Sequence, residues 1–414
     1  MSDVTYDPWS PAFVADPYPV FERLRAERPV FFDESTGQWV VSRYADVDAL
    51  LRDRRLGRSY LHLATHEEFG QAAEPEFLRP FWDLVRAGML DVEPPVHTRL
   101  RRLVSKAFTA RMVEGLRPMI ASLAGELVAG LVERGGGDLL AEVAEPLPVN
   151  VIAEMLGVPA SDRHLLRPWS ADICGMYELN PSEEAQRTAV RAATEFSDYL
   201  RGLVRARRAE PRDDLISALA QPGGRSGPVG RGKDVDEGDR LTEDELIGTC
   251  VLLLNAGHEA TVNATGNGWW SLFRNPGELA RLRADHTLVP TAAEELMRYD
   301  TPAPMFERWV LADIEVGGAV IPKGAEVALQ FAAANRDPEI FVDPDRLDVA
   351  RDPNPHITFG LGIHYCLGAP LARIELAESY GALLRQAPTL RLAEEPRWKP
   401  GYVLRGLEGL LVEV

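Results

Sequence analysis

"FGLGIHYCLG", residues 359–368, is the stretch on which the reading of this chain turns. It sets Cys366, one of three cysteines, in a loop of glycine and apolar residues. His364 stands close by, and a helix-forming run, "APLARIELAESYGALLRQ", follows at once. A thiol held this way, at the start of a helix, asks for a chemical reason.

Composition narrows the reasons. The chain has 414 residues, of which 45% are hydrophobic and 26% charged, the balance of an ordinary globular protein. Its net charge of -18 argues against nucleic acid and anionic membrane surfaces as main partners. Cys174, Cys250 and Cys366 lie far apart with no C-x-x-C pair, which excludes the usual structural zinc patterns. So few cysteines suit a reducing cytosol, not a disulfide framework. The start, "MSDVTYDPWSPAFVADPYPV", lacks a basic segment followed by an apolar core, so no signal peptide is expected. The longest strongly apolar run, around 250–256, is too short to cross a bilayer.

Most of the chain reads as helix. "PYPVFERLRAERP" has helical spacing and stops at Pro29, "VFFDESTGQWVVS" reads as a hairpin, and "YADVDALLRD" as a short helix. Residues 98–136, 140–157 and 182–208 read as helical, and 223–240 as a Gly- and charge-rich surface loop. Thr242 and Glu245 form a capping-box signature for a long helix that runs to Arg274. Its middle, "CVLLLNAGHEATVNATGNGWW", is apolar nearly all round, the mark of a helix through the centre of a large protein. Asn255, Gly257, His258, Glu259 and Thr261 interrupt that run, and buried polar groups carry a cost that function must justify. "TAAEELMRYD" reads as another helix, "FERWVLADIEVGGAVIPKGAEVALQ" as short strands, and 335–358 as irregular chain leading to the cysteine loop. Small sheets are expected near the start and near the end, and an amphipathic helix after Cys366.

Three chemistries compete for the loop. A phosphate cradle needs a third glycine where Tyr365 stands, and a Lys-Ser or Lys-Thr pair that is missing. A catalytic thiol gains from a helix N-terminus, but His364 is poorly placed as its base. A thiolate ligand to haem iron accounts for more. Glycines let the backbone pass close to a flat macrocycle, amide N–H groups at the helix start hold the sulfur as thiolate, and thiolate donation favours O–O cleavage.

The pattern F-G-x-G-x-H-x-C-x-G resembles the haem-binding loop of the cytochrome P-450 family. Its six fixed positions would coincide by chance on the order of once in a million chains this long. Other stretches match in the same order: "HTRLRRLVSKAF", "AGHEAT", "EELMR" and "DPDRLDVAR". The resemblance runs from "ADPYPVFERLR" to "RGLEGLLVEV" and is to the soluble bacterial branch. It implies one mainly α domain over 1–414, a helix-rich prism with small β-sheets.

It also implies haem b, iron protoporphyrin IX, with Cys366 as the metal ligand and Phe359, Gly360 and Gly368 shaping the loop. His97 and Arg101, with Arg308 and His364, match the contacts to haem propionates. Glu295, Arg298 and Arg346 match a buried structural ion-pair cluster. Cys174 and Cys250 read as buried small apolar residues. The substrate pocket carries over to Leu90, Leu254, Asn255, Thr301, Met305, Phe306 and Val403. The aromatic stretch 59–88 either caps the substrate or packs its own loop. The resemblance implies electrons from NAD(P)H through a ferredoxin reductase and a ferredoxin; Arg99, Arg102, Lys106 and Arg111 form either a basic dock for it or a solvated helix face. The implied protein is a cytoplasmic monomer with no nucleic-acid or membrane partner.

In one motif the chain departs from the family. The acid of the oxygen-activation motif is Glu259, but the alcohol that should follow it is Ala260, and Thr261 comes one residue later. One residue is about 100° around a helix, so Thr261 points away if Ala260 faces the iron. Gly257 is expected to let the helix kink, and His258 to turn to the far side. Either the substrate brings the missing hydroxyl, or ordered water through Glu259 suffices. The implied activity is a monooxygenase acting on a small organic metabolite of secondary metabolism. The alternatives are an oxidase of the same fold that couples or desaturates without inserting oxygen, and a non-catalytic haem sensor.

Overall fold

Two short apolar runs around a turn begin the fold. In the computed structural model, which describes residues 4–220 and 240–414, Val30–Asp33 (β1) and Gln38–Val41 (β2) pair antiparallel from Val30↔Val41 to Asp33↔Gln38. The Asp33 carboxylate closes the turn by accepting from the Thr36 backbone N–H at 2.9 Å, and Gly37 takes the positive φ of +72°. The expected loop 223–240 lies outside the described residues except for Arg240.

Helix accounts for 56% of the structure, which makes it mainly α. The chain divides into two compact units. The first comprises Met1–Gly57, Pro118–Leu147 and Ala260–Val414, and the second Arg58–Arg117 and Pro148–Glu259.

In the first unit, the hairpin does not stand apart from the late strands. The strands are Leu56–Gly57 (β3), Gly136–Asp138 (β4), Met305–Val310 (β5), Ile314–Val316 (β6), Ala319–Ile321 (β7), Glu326–Gln330 (β8), Arg391–Leu392 (β9) and Leu411–Glu413 (β10). One sheet runs β1-β2-β8-β5-β3, with β2 parallel to β8, so strands from both ends of the sequence join in it. This corrects the expectation of separate early and late sheets: period-2 patterning reports that a segment is a strand, not which strand it meets. A second sheet runs β4-β10-β9, and β6-β7 is a hairpin turned by Gly317 and Gly318, both at positive φ. One face of the large sheet buries Val41, Leu56, Val310, Val327 and Leu329 against Val47, Leu50 and Leu51 of the helix Tyr44–Arg52, with Phe331 and Ile357. Leu361 of the cysteine loop packs on this core, so the sheet is the loop's floor.

The rest of the chain is largely helical. The segment read as one helix over 98–136 is two, Val96–Ala107 and Ala110–Glu133. Thr109 makes the break by accepting the Met112 N–H at 3.2 Å on its hydroxyl, an N-cap inside an otherwise continuous pattern. Residues 140–157 begin as a π turn, Leu140–Ala144, before the helix Pro146–Leu156. Ala110–Glu133 is long and apolar enough, at a mean hydropathy of 1.3, to cross a membrane by length and composition alone. Its buried residues, Val113, Ile120, Ala124, Val128 and Leu131, form one stripe at helical spacing, as on a helix docked to protein.

The capping box forms as read: Thr242 N–H donates to Glu245 Oε2 at 2.8 Å and Glu245 N–H to Thr242 Oγ1 at 3.2 Å. The helix then runs Glu243–Arg274 without interruption. Gly257 lies within that span. A Cβ there would lie 3.1 Å from Ile152 Cδ1, so the glycine serves close packing.

What holds the irregular segment 335–358 is a buried ion cluster. Glu295 and Arg298, on the helix Val289–Tyr299, are both 0% exposed. Arg298 Nε donates to Glu295 Oε2 at 2.7 Å and Nη2 to Oε1 at 2.9 Å, while Nη1 reaches the carbonyls of Asn335 at 2.8 Å and Pro344 at 2.9 Å. The third member is Arg351, not Arg346. Arg351 Nε lies 3.1 and 3.0 Å from the two Glu295 oxygens. Arg346 has a side chain 65% exposed and, among the described residues, its ion pair is with Asp348, at 3.5 Å. The reason is the path of the chain: the Asp348 N–H also donates to Glu295 Oε1, at 3.0 Å, which brings 348–351 to the carboxylate. The Arg346 carbonyl, meanwhile, accepts from Arg351 Nη2 at 3.1 Å.

The helix after the loop, Ala369–Gln386, is more buried than an amphipathic surface helix, with Ser379 to Leu384 all inside. It carries Glu375, 2% exposed, whose Oε1 accepts no hydrogen bond among the described residues. Burial pushes this carboxyl up to about 8. The folded state then keeps a proton that the unfolded state releases above about pH 4.3, so stability falls as pH rises through that window. Glu375→Gln is expected to remove a penalty on the order of 3 kcal/mol at about pH 7, read as a thermal midpoint gain that vanishes near pH 4. Arg351→Ala is expected to cost roughly 3 kcal/mol by unbalancing a buried carboxylate. Arg346→Ala should stay within about 0.5 kcal/mol, and equal losses in chemical unfolding would contradict the assignment.

Candidate functional site

The cysteine loop is built from backbone hydrogen bonds that only glycine permits. In the first unit, Gly360 sits at φ +63° with its N–H on the Ile357 carbonyl at 2.8 Å. Gly362 sits at φ +71°, where a Cβ would strike the Leu51 carbonyl oxygen at 2.4 Å. A 3-10 turn, Gly362–His364, then brings the chain round, and the Cys366 N–H closes on the Phe359 carbonyl at 2.9 Å. Cys366 is thus a half-buried thiol at the N-terminal end of Ala369–Gln386. A Cβ on Gly368 would approach its sulfur to 3.8 Å.

Behind the loop, Asn335 is the stitch. Its Nδ2 donates to Thr301 Oγ1 at 3.0 Å and Thr358 Oγ1 at 2.9 Å, and its Oδ1 accepts the Ile357 N–H at 2.8 Å. This moves Thr301 from the substrate pocket to the frame: it is 0% exposed and its hydroxyl is engaged. Phe306, also expected in the pocket, stacks on Phe331 at 6.1 Å and packs on the sheet core. Met305, its strand neighbour, faces the other side and is fully buried. Val403 is half-buried. Arg308 on β5 is 6% exposed and donates to the Glu307 carbonyl at 2.8 Å, and His364 is half-buried in the turn.

The second unit carries the other candidates. His97 and Arg101 lie at i and i+4 on Val96–Ala107, hence on one face. His97 is 2% exposed and Arg101 half-buried. Arg99, on the same helix, is committed to Glu245 and to the Arg240 carbonyl, so it drops out of the expected dock. On the central helix, Leu254 and Asn255 are buried, Ala256 is exposed, and Gly257 and Glu259 are half-buried. His258 turns to the helix Leu166–Cys174, as expected, with Nδ1 3.3 Å from Ser170 Oγ. The Glu259 carboxylate lies 3.9 Å from the same His258 nitrogen. In the first unit, Ala260 is half-buried and Thr261 is 6% exposed.

Leu90 is half-buried. The aromatics of 59–88 pack among themselves: Tyr60 stacks on Phe69 at 4.0 Å, and the Tyr60 hydroxyl meets His66 Nδ1 at 2.7 Å. Cys250 is an inert core residue, its thiol pushed up to about 12 by burial.

Among the described residues, no group of three or more His, Cys, Asp or Glu is placed to hold a bare metal ion. The donor set instead fits a flat, anionic prosthetic group carrying its own metal. In the first unit a single soft sulfur stands in a glycine cradle, and Arg308 and His364 of the same unit are donors of the kind that carboxylates need. Sequence reasoning missed Arg351, because two arginines stand in "DPDRLDVAR" and spacing cannot choose between them.

Comparison with known proteins agrees. A sequence model of the cytochrome P-450 family matches residues 170–386. Cytochrome P-450 monooxygenase PikC of Streptomyces venezuelae is 40% identical over 96% of this chain and 91% of its own length. The 6-deoxyerythronolide B hydroxylase of Saccharopolyspora erythraea is 37% identical over 98% of both. Among solved structures, the cytochrome P-450 PksS of the Bacillus subtilis bacillaene polyketide synthase superposes with a TM-score of 0.86 at 35% identity, covering 99% of each chain. The chain belongs to the cytochrome P-450 family, the haem-thiolate monooxygenases.

Proposed function

We propose that this chain hydroxylates a polyketide-like metabolite, with Cys366 as the residue whose thiolate would hold the iron of haem b, drawing electrons from a ferredoxin served by an NAD(P)H-dependent reductase. The observation that carries the reading is the glycine cradle that presents a half-buried sulfur at a helix N-terminus. Its relatives include a 6-deoxyerythronolide B hydroxylase and an enzyme of a polyketide synthase, which supports the substrate class. The whole chain acts as one catalytic domain, a cytoplasmic monomer in this reading.

Bound haem would supply dioxygen activation. The chain's own residues do the rest. Arg308 and His364 on the first unit, and His97 and Arg101 on the second, would neutralise its carboxylates, which need paired charge when taken from water. Leu90, Leu254 and Asn255 on the second unit, and Met305 and Val403 on the first, remain candidates for substrate contact. Glu259 supplies the carboxyl group of the relay. Ala260 offers no hydroxyl to pass a proton on, and Thr261 is turned inward with its carbonyl accepting the Thr265 hydroxyl at 3.0 Å. The substrate's own hydroxyl therefore completes the relay.

This reading yields three outcomes. With labelled dioxygen and a ferredoxin system, one labelled oxygen atom is expected in the product. A ring closure or desaturation with no label would favour the coupling oxidase, which a missing hydroxyl also permits. On analogues stripped of hydroxyls, product per reductant should fall about tenfold or more in the parent and recover in Ala260→Thr. Full coupling in the parent contradicts substrate assistance. Neutralising Lys106 and Arg111 should slow reduction severalfold and flatten its salt dependence, and unchanged kinetics would remove the dock.

A further inference from the structure

Next to Glu295 in sequence stands a second carboxylate with a different task. Glu294 faces the helix Ala369–Gln386, where Arg373 grips it with both arms of its fork. Arg373 Nε donates to Oε1 at 2.7 Å and Nη2 to Oε2 at 2.9 Å. His356 Nε2 lies 3.0 Å from Glu294 Oε2. The Thr358 N–H points at His356 Nδ1 at 3.3 Å, so Nδ1 is the acceptor and Nε2 carries the hydrogen that Glu294 accepts. Burial pushes the Glu294 carboxyl up, but the hydrogen bonds from His356 and Arg373 outweigh it and hold the group at about 2. The pair is charged at any working pH.

Arg373 does more than balance Glu294. Its guanidinium lies 4.6 Å from the centre of the Phe359 ring, and its Nη1 donates to the Tyr365 hydroxyl at 3.3 Å. The two rings meet edge to face at 6.5 Å. Phe359 and Tyr365 bracket the loop, and the Phe359 carbonyl is the acceptor of the Cys366 N–H. The cluster of Glu295, Arg298 and Arg351 holds the chain leading to the loop. The cluster of Glu294, Arg373 and His356 grips the loop itself, through Phe359 and Tyr365.

We propose that Glu294 and Arg373 are positioning residues that tune the Cys366 sulfur electrostatically: a fixed cation beside the loop, balanced by a fixed anion behind it. The inference rests on the reading of Cys366 as the iron's ligand and deepens it. A full charge near a metal–sulfur bond shifts the metal's potential, because reduction adds negative charge that a nearby cation stabilises and a nearby anion opposes. The intact pair cancels at a distance. Removing one partner leaves the other uncompensated, and the two removals act with opposite sign.

The test uses the haem-loaded protein with Glu294→Gln, Arg373→Gln, the double variant and Arg373→Lys. The red-shifted Soret band of the reduced carbonyl complex in the parent first establishes thiolate ligation, and its absence there sinks the underlying reading rather than this one. Potentiometric titration then reads the inference. Glu294→Gln should raise the midpoint potential, Arg373→Gln should lower it, and the double variant should return towards the parent. Arg373→Lys keeps the charge but loses the planar fork, so its potential should stay near the parent's while the fraction of thiolate-type carbonyl complex falls. A merely structural clamp would move both glutamine variants in the same direction. That result, or no movement in either, overturns the proposal. Should a glutamine variant fail to fold, Arg373→Lys decides: a potential displaced as far as any folded glutamine variant's contradicts a role for charge.

Discussion

A guanidinium with no access to water governs this molecule. Arg298 is 0% exposed, and taking such a charge out of water costs several kcal/mol unless every donor is met. Glu295 meets two of them, and the carbonyls of Asn335 and Pro344 meet a third. Those carbonyls belong to the stretch of chain that has no helix or strand to hold it. The burial of one arginine thus converts an irregular segment into a fixed one. Everything downstream, including the turn that presents Cys366, inherits its position from that segment.

Two adjacent carboxylates on one helix divide the work. Glu295 looks to Arg298 and Arg351 and anchors the approach to the loop. Glu294, about 100° around the helix, looks to Arg373 and His356 and reaches the loop's own aromatic rings. The floor under the loop is apolar, supplied by the sheet that gathers strands from both ends of the chain. A half-exposed sulfur is therefore surrounded by a frame of charge and packing in which little can relax. That rigidity is what a metal ligand needs, since sub-ångström placement decides both bond strength and donation.

Patterns confined to one element were legible in the sequence. The capping box of Thr242 and Glu245, the hairpin from Val30 to Val41, and the glycine loop all depend on residues near one another in the chain. Features that depend on distant partners were not. Nothing in "DPDRLDVAR" tells Arg346 from Arg351, because the choice is made by the Asp348 N–H bonding a carboxylate on another helix. Thr301 reads as a pocket residue until Asn335 arrives to bond it. The close approach of Ile152 to Gly257 is likewise a meeting of positions far apart in the chain. Apolar periodicity also ran straight through Thr109, where a single hydroxyl ends one helix and starts the next.

The central claim is that this frame exists to present Cys366 as a thiolate to haem iron. Reduction of the purified protein under carbon monoxide tests it most directly. The account predicts the strongly red-shifted Soret band of a thiolate-ligated carbonyl complex in the parent and its loss in folded Cys366→Ser. The same band surviving in Cys366→Ser, or never appearing in intact parent protein, would contradict it.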